Sequence, residues 1–373
     1  MQYINQTMRR GLNMRDIWPD NDMTAVVLHA PNDLRVEKVP MPQAAAGQLL
    51  LQVHACGICG SDLRYLAGEN PWAKHTLGFE PANPPDMILG HEVAGTVIEN
   101  GRTRRVGVLS FRTCGHCHYC RTGRANLCPE TAHLGHGAGW EGQNAGGMAE
   151  YCPVWTEHLF DLPDWLSFEE ATFLDGLGVA VHAVRCAGTI SGQPVLVQGA
   201  GPIGLSIAQV AMAWGAEPVA ITDIYDAALE CARKLKLGPC LNVAGADDRE
   251  VGADLARASG ETGFVAVFDT TGSLEAQAQG LAALDRGGTM IAMAGIADGL
   301  TLTQASLAGE RRLMTASNNF PDDFATGLEL LVTGQVQVKP MITHIYSLQD
   351  AVQAFGTASN KQKTDAIKVV LIP

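Results

Sequence analysis

The chain has 373 residues, of which 46% are hydrophobic, and a formal charge of −13 at pH 7. That length exceeds one ordinary core and fits two domains, the apolar fraction excludes a disordered chain, and the acidic balance repels a phosphate backbone. Nucleic acid is therefore not an expected partner, since the only local basic patch is Arg102, Arg104 and Arg105.

Residues 1–22 carry Arg9, Arg10, Arg15, Asp16, Asp20 and Asp22 without a sustained apolar run, so they read as a polar extension and not as a signal or anchor. From Thr24 to Ile98 short β-rich runs (TAVVLHA, LLLQVHA, ILGHEVAGTVIE) alternate with turn residues, which predicts an irregular antiparallel β domain. Strands thin out through CGHCHYCRTGRANLC and resume near Tyr151. In that stretch Cys114, Cys117, Cys120 and Cys128 have the spacing of one tetrahedral Zn²⁺ held by four thiolates. Such a site has no open coordination position and is expected to be structural. Clustering of cysteines at metal spacing also points to reduced thiols in a reducing compartment, the cytoplasm by default. Cys56, Cys152, Cys186, Cys231 and Cys240 read as non-ligating thiols.

Ser167-Phe-Glu-Glu170 is a capping-box signature for a helix reaching Asp175, where Gly176 and Gly178 are expected to break or bend it. Between Cys186 and Ala216 no charged residue occurs, but prolines, glutamines and glycines interrupt the run. A buried strand-turn-helix explains it better than a membrane span, and no membrane partner is expected. The predicted pieces are a strand over 194–198, a glycine turn over 199–204, a helix over 203–214 and a strand over 218–223. FVAVFDTT and GTMIAMAG follow as later strands, separated by helical segments such as LEAQAQGLAAL. This alternation predicts an α/β, doubly wound parallel sheet. After Asn319 the pattern becomes mixed: a helix after Pro321, a strand near KPMITHIY, a capping box at Ser347 to Asp350 and a closing strand AIKVVLIP. That tail is read as returning to the first domain.

Gly199-Ala-Gly201-Pro202-Ile203-Gly204 follows a strand and opens a helix, so its amides and the helix N-terminus can receive a pyrophosphate. Asp223 closes the next strand, 19 residues after Gly204, where a carboxylate accepts ribose hydroxyls and repels a 2′-phosphate. NAD is thus the expected cofactor.

CGICGSD, GHE, the four-cysteine stretch and VLVQGAGPIG occur in that order. From about Met23 to Pro373 the chain resembles the zinc-dependent medium-chain alcohol and polyol dehydrogenases, a group that includes sorbitol, butanediol and threonine dehydrogenases. The resemblance implies a GroES-like β-rich catalytic domain interrupted by a Rossmann cofactor domain. It also implies two Zn²⁺ per chain, one catalytic and one structural, and reversible hydride transfer from a secondary alcohol to NAD, giving a ketone. The expected division is an N-terminal extension over 1–22 and a catalytic domain over 23–176 with its zinc lobe at 112–130. The cofactor domain then spans 177–320, and 321–373 returns to the catalytic domain.

Carried over by motif, Cys59 and His91 match the catalytic-zinc ligands, and the third ligand position falls on Asp175. Glu92 is either a fourth ligand or a neighbour that exchanges with substrate. Asp62 matches the carboxylate that orients the zinc-bound imidazole, and Ser61 the hydroxyl that passes the substrate proton outward. Arg64 stands where many members have a histidine, and it cannot act as a base at neutral pH. His54, His75 or water are then the candidates to continue the relay. Lys368 matches a basic position that meets the cofactor pyrophosphate, and Ala228 replaces a basic residue near the adenosine.

The 32-residue step from Cys59 to His91 resembles the longer loop of vicinal-diol dehydrogenases. Trp72, His75 and Phe79 either rim the entrance there or only anchor the loop. AHLGHGAGWEGQNAGGMAEY could bring His136 and Trp140 to the same mouth. Both loops favour a diol, polyol or sugar derivative as the small-molecule substrate. The alternatives are a threonine 3-dehydrogenase-like enzyme acting on an amino alcohol and a zinc-free enoyl or quinone reductase-like protein. The resemblance further implies a homodimer or homotetramer, with GTMIAMAGIADGL as the edge strand.

Overall fold

The computed structural model describes residues 22–78, 82–136, 145–296 and 298–373, with the side chains of 75–77 also left aside. The strand Gln48–Gly57 is the spine of the first sheet: Leu51, Val53 and Ala55 are buried while Gln52 is exposed, the period of a strand with one face in a core. It pairs antiparallel with Glu92–Glu99, Tyr151–Trp155 and the C-terminal Lys368–Ile372. Arg102–Val108, Leu159–Asp161 and Ile342–Ser347 complete this seven-stranded sheet. A smaller sheet of Asp33–Pro40, Asp22–Ala30 and Met87–Ile88 packs beside it.

The second sheet has six strands in the spatial order Cys240–Asn242, Val219–Asp223, Val195–Gln198, Phe264–Asp269, Leu284–Ala292, Arg312–Thr315, all parallel. Both faces are covered, as a parallel sheet requires. Helices Leu174–Ala187 and Pro202–Ala213 contribute Leu177, Val181, Leu205 and Ile207 to one core. Val251, Leu255 and Leu281 cover Leu196 and Val267 on the other face. Strand order reverses between Val195–Gln198 and Phe264–Asp269, which opens a crevice at their carboxyl ends.

Two expectations are corrected. The Ser167–Glu170 capping box does form, but its helix covers only Phe168–Ala171, and a new helix starts at Leu174 and runs unbroken through both glycines. Those glycines serve close packing: a Cβ on Gly178 would lie 3.0 Å from Asn319 Nδ2, and one on Gly176 3.3 Å from Ile203 Cδ1. The tail after residue 321 opens with a helix and not a strand, and its core also holds Leu109, Phe111 and Leu162 of the first domain. Phe324, Leu330 and Leu331 of helix Pro321–Val332 are buried in the same core as Leu174–Ala187, and Gly327 lets the two helices touch at Leu177. The chain rejoins the first sheet at Ile342. Second, GTMIAMAG lies inside the parallel sheet, and the edge is Arg312–Thr315.

Candidate active site

Two local features put a thiol and an imidazole side by side. Cys59 is the N-cap of the short helix Gly60–Leu66, where its amide donates to Asp62 Oδ2 at 2.8 Å. His91 and Glu92 enter the strand that pairs with Gln48–Gly57, and the register sets Glu92 opposite Gly57. As a result donor atoms of Cys59, His91 and Glu92 all lie within 4.8 Å of one another, with His91 and Glu92 buried.

Charge in this pocket is unbalanced toward the negative. Burial alone would lower the His91 pKa, yet Cys59, Asp62 and Asp175 outweigh it and raise it to about 10. Burial pushes Asp62 up to about 6 and also raises Asp175. A soft thiolate, an imidazole and a carboxylate converging in such a field fit Zn²⁺, which supplies the missing positive charge. His91 Nδ1 and Asp62 Oδ1 are both buried without a hydrogen bond among the described residues and stand 3.9 Å apart, beyond hydrogen-bond reach.

Asp175 is outside that trio; in the first turn of its helix it accepts a 2.9 Å hydrogen bond from Ser110 Oγ. Glu92 is bound through Oε2 to the ammonium of Lys368, an ion pair 2–5% exposed on both sides. Burial disfavours the Lys368 ammonium, but Glu92 and Cys59 more than compensate. Gly57 makes the pair possible, since a Cβ there would sit 2.3 Å from Glu92 Oε2 and 2.7 Å from Lys368 Cε. Lys368 thus lines the narrower part of the cleft with Cys59, bound to Glu92.

The relay candidates separate clearly. Arg64 is held by Glu69 at 2.6 Å, and His54 stacks on Phe168 and reaches Thr96 Oγ1. Ser61 Oγ instead meets His136 Nε2 at 3.4 Å. His136 stacks on His133 at 3.9 Å between centroids and meets the His91 ring edge-on at 4.2 Å. Burial holds both added histidines neutral, His133 at about 3 and His136 well below its ordinary value. His133 carries no motif, and its place becomes visible only when the loop after Cys128 folds over GHE. Trp72 packs against the core of the first domain, which is the anchoring alternative. His75's side chain, Phe79 and Trp140 lie outside the described residues.

The four-cysteine lobe is also ordered for a metal. A tetrahedron with Zn–S of about 2.3 Å has S···S edges of about 3.8 Å. The Sγ atoms of Cys117 and Cys120 are 3.5 Å apart, and Cys114–Cys120 and Cys117–Cys128 are 3.9 Å apart. The Cys120 amide points at Cys117 Sγ and lowers its pKa, while burial raises Cys128. The remaining cysteines take no part in either cluster.

The glycine turn sits at the crevice. Gly199 has φ +96°, a region that favours glycine, and a Cβ on Gly204 would fall 1.8 Å from Gly199 O. A Cβ on Gly201 would meet nothing within 4 Å, so that side of the turn is open for a ligand. Both Asp223 oxygens are fixed by backbone amides, from Ala200 at 2.6 Å and Tyr225 at 2.8 Å. Gly201, Asp223, Ala228 and Thr271 line a cleft of about 480 Å³. A narrower cleft of about 190 Å³, lined by Cys59, Glu92, Pro202, Ile203 and Lys368, continues from it, and Gly201, Thr270, Lys361 and Ile367 belong to both. Open glycine face, helix N-terminus and anchored carboxylate fit a dinucleotide.

Residues 45–164 match the family model of the alcohol dehydrogenase GroES-like domain, and residues 202–333 match that of the zinc-binding dehydrogenases. Sorbitol dehydrogenase of Bos taurus is 30% identical over 348 residues, covering 91% of this chain and 93% of that protein. Sorbitol dehydrogenase of Bacillus subtilis is 29% identical, with 95% and 98% covered. The crystal structure of 2R,3R-butanediol dehydrogenase from Bacillus subtilis superposes with a TM-score of 0.80 at 28% identity, covering 94% of this chain and 99% of that one. With both domain models matched in order and relatives aligned over nearly their whole length, the chain belongs to the zinc-dependent medium-chain alcohol and polyol dehydrogenases and is an alcohol dehydrogenase.

Proposed function

We propose that the protein oxidises a secondary alcohol of a diol, polyol or sugar derivative to the ketone, reversibly and with NAD as hydride acceptor. The observation that carries this reading is the continuity of the clefts, which brings the Cys59–His91–Glu92 trio and the Asp223 end of the dinucleotide groove onto one path. The activities of the similar sorbitol and butanediol dehydrogenases support the substrate class.

In this reading Cys59, His91 and Glu92 hold the catalytic zinc, with Asp175 as a nearby carboxylate. Cys114, Cys117, Cys120 and Cys128 hold the structural one. When bound, the catalytic zinc supplies a Lewis acid for the hydroxyl oxygen and NAD supplies the acceptor carbon. The chain's own residues do the rest. Lys368 cancels the charge of Glu92 through Oε2 and leaves its other oxygen available, so Glu92 can ligate without adding net negative charge. Asp62 and the Cys59 amide fix the turn that carries the thiol. Ser61 Oγ, oriented by His136 Nε2, receives the substrate proton, and the buried His133–His136 pair keeps water from that side. Asp223 accepts the ribose hydroxyls, and its charge disfavours a 2′-phosphate.

Two further readings rest on chemistry and exposed surface. Reduced thiols at metal spacing support a cytoplasmic location; among the described residues no helix is long and apolar enough to cross a membrane. The edge strand Arg312–Thr315, with Met314 exposed, supports pairing of two copies along that edge.

The test is a substrate panel monitored by NADH formation. Turnover with sorbitol or a vicinal diol, and a preference for NAD over NADP, is expected. Turnover confined to threonine would move the substrate to the amino alcohols, and turnover of enoyl or quinone substrates alone would overturn the proposal.

A further inference from the structure

Lys361 lies just beyond helix Ala351–Ser359, in the short turn of helix Lys361–Thr364. Its side chain lines both clefts, the wider one with Asp223 and the narrower one with Cys59. Burial lowers the pKa of its ammonium, and the charges of Asp223 and Cys59 oppose that without overcoming it. Its carbonyl accepts from the Asp365 amide at 2.9 Å, yet among the described residues its ammonium has no hydrogen bond or ion pair. The other lysine of this groove, Lys368, lines only the narrower cleft and is bound to Glu92. No basic side chain stands at Ala228 on the adenosine wall. Gly201, which lines the same two clefts, offers open space at the start of the 12-residue helix Pro202–Ala213.

A dinucleotide whose adenosine ribose reaches Asp223 and whose nicotinamide reaches Cys59 carries its diphosphate between these ends, where the two clefts share Gly201 and Lys361. We propose that Lys361 is the cation that meets the diphosphate of the cofactor, facing the Gly201 amide side of the groove. This assignment rests on the NAD-linked reading above. It replaces the expectation that Lys368 does this work: Lys368 neutralises Glu92 at the metal end, and Lys361 neutralises the cofactor.

The test measures binding in the full-length protein, without turnover. NADH, ADP-ribose and adenosine are titrated by calorimetry into wild type, Lys361→Gln and Lys361→Arg. Lys361 is exposed, so the variants should keep the wild-type melting temperature. Lys361→Gln is expected to weaken NADH and ADP-ribose roughly tenfold and to flatten the salt dependence of both, while adenosine changes less than about twofold. Lys361→Arg should restore ADP-ribose binding to within about threefold of wild type. Unchanged ADP-ribose affinity in Lys361→Gln, or an equal loss for adenosine, would overturn the assignment. A wild-type protein that binds ADP-ribose and NADPH but not NADH would overturn the NAD reading alone, and the ADP-ribose comparison would still decide the role of Lys361.

Discussion

Glu92 and Lys368 are 276 positions apart and meet as a buried ion pair against Gly57. Removing one member leaves an uncompensated charge in a pocket that already holds Cys59, Asp62 and Asp175. Lys368→Met is therefore expected to lower stability by about 3–5 kcal/mol, and the double variant Glu92→Gln/Lys368→Met to recover much of it. Urea denaturation of these two variants, the Glu92→Gln single variant and the wild type measures the coupling, and strictly additive losses would show that the two residues do not act as a pair. At this scale the sequence was partly legible. Cys59, His91 and Glu92 sit inside short motifs whose local geometry travels with them. The partner of Lys368 was not readable, because it depends on the C-terminal strand returning beside Gln48–Gly57. His133 ends a two-residue strand and His136 lies in the turn after it, with no periodic pattern, and their edge contacts to His91 are a product of tertiary packing alone.

Single elements carry clearer signals. The strand predicted over 194–198 is found at Val195–Gln198, the strand over 218–223 at Val219–Asp223, and the helix over 203–214 at Pro202–Ala213. Apolar runs bounded by glycine and proline fix such boundaries locally. Helix Leu174–Ala187 was misread because Gly176 and Gly178 act as contact residues there, and no single-element rule distinguishes a glycine that ends a helix from one that admits a neighbour. The glycine turn gives a prediction with two opposite outcomes. Gly204→Ala forces a methyl onto Gly199 O and should cost about 1–3 kcal/mol in thermal unfolding. Gly201→Ala has free space in the protein and should melt like the wild type while losing NADH affinity at least about tenfold, because the methyl occupies the space the diphosphate needs. Equal melting temperatures for both variants would contradict this picture of the turn.

Across the whole molecule, the two units are fastened by polar contacts as well as by the shared core. Asn126 of the cysteine lobe donates to Ser317 O at 3.0 Å and accepts from Asn318 Nδ2 at 2.8 Å. Beside it, His182 Nδ1 meets the buried Asp323 at 3.2 Å, with Arg185 on the other Asp323 oxygen and Cys186 beside His182 Nε2. Burial lowers the His182 pKa, but Asp323 and Cys186 override it and raise it to about 9. The protonated imidazole is therefore favoured in the folded state. Its stabilisation is complete below the unfolded value of about 6.5 and is lost as pH rises through about 9. Stability of the wild type should fall by on the order of 2 kcal/mol across that window, and His182→Gln should show a flatter profile. A wild-type curve as flat as that of the variant would remove His182 as the source. The order of domains was legible because motifs mark each unit, whereas the late return of the tail at Ile342 was not. Helix Pro321–Val332 packs its apolar face on Leu174–Ala187 in a core shared with Leu109, Phe111 and Leu162 of the first unit, and the apolar pattern alone does not name those partners.

The claim that joins these scales is a zinc at Cys59, His91 and Glu92 working on an alcohol beside a bound NAD, with the cysteine lobe holding a separate ion. The most direct measurement is stepwise restoration of zinc to metal-depleted protein, with metal content and NADH formation from sorbitol or a vicinal diol read on the same samples. The expected result is that activity rises only as the content passes from about one to about two zinc ions per chain, and that Cys59→Ser stops at about one and stays inactive. Full activity at about one zinc per chain, or in Cys59→Ser, would contradict it.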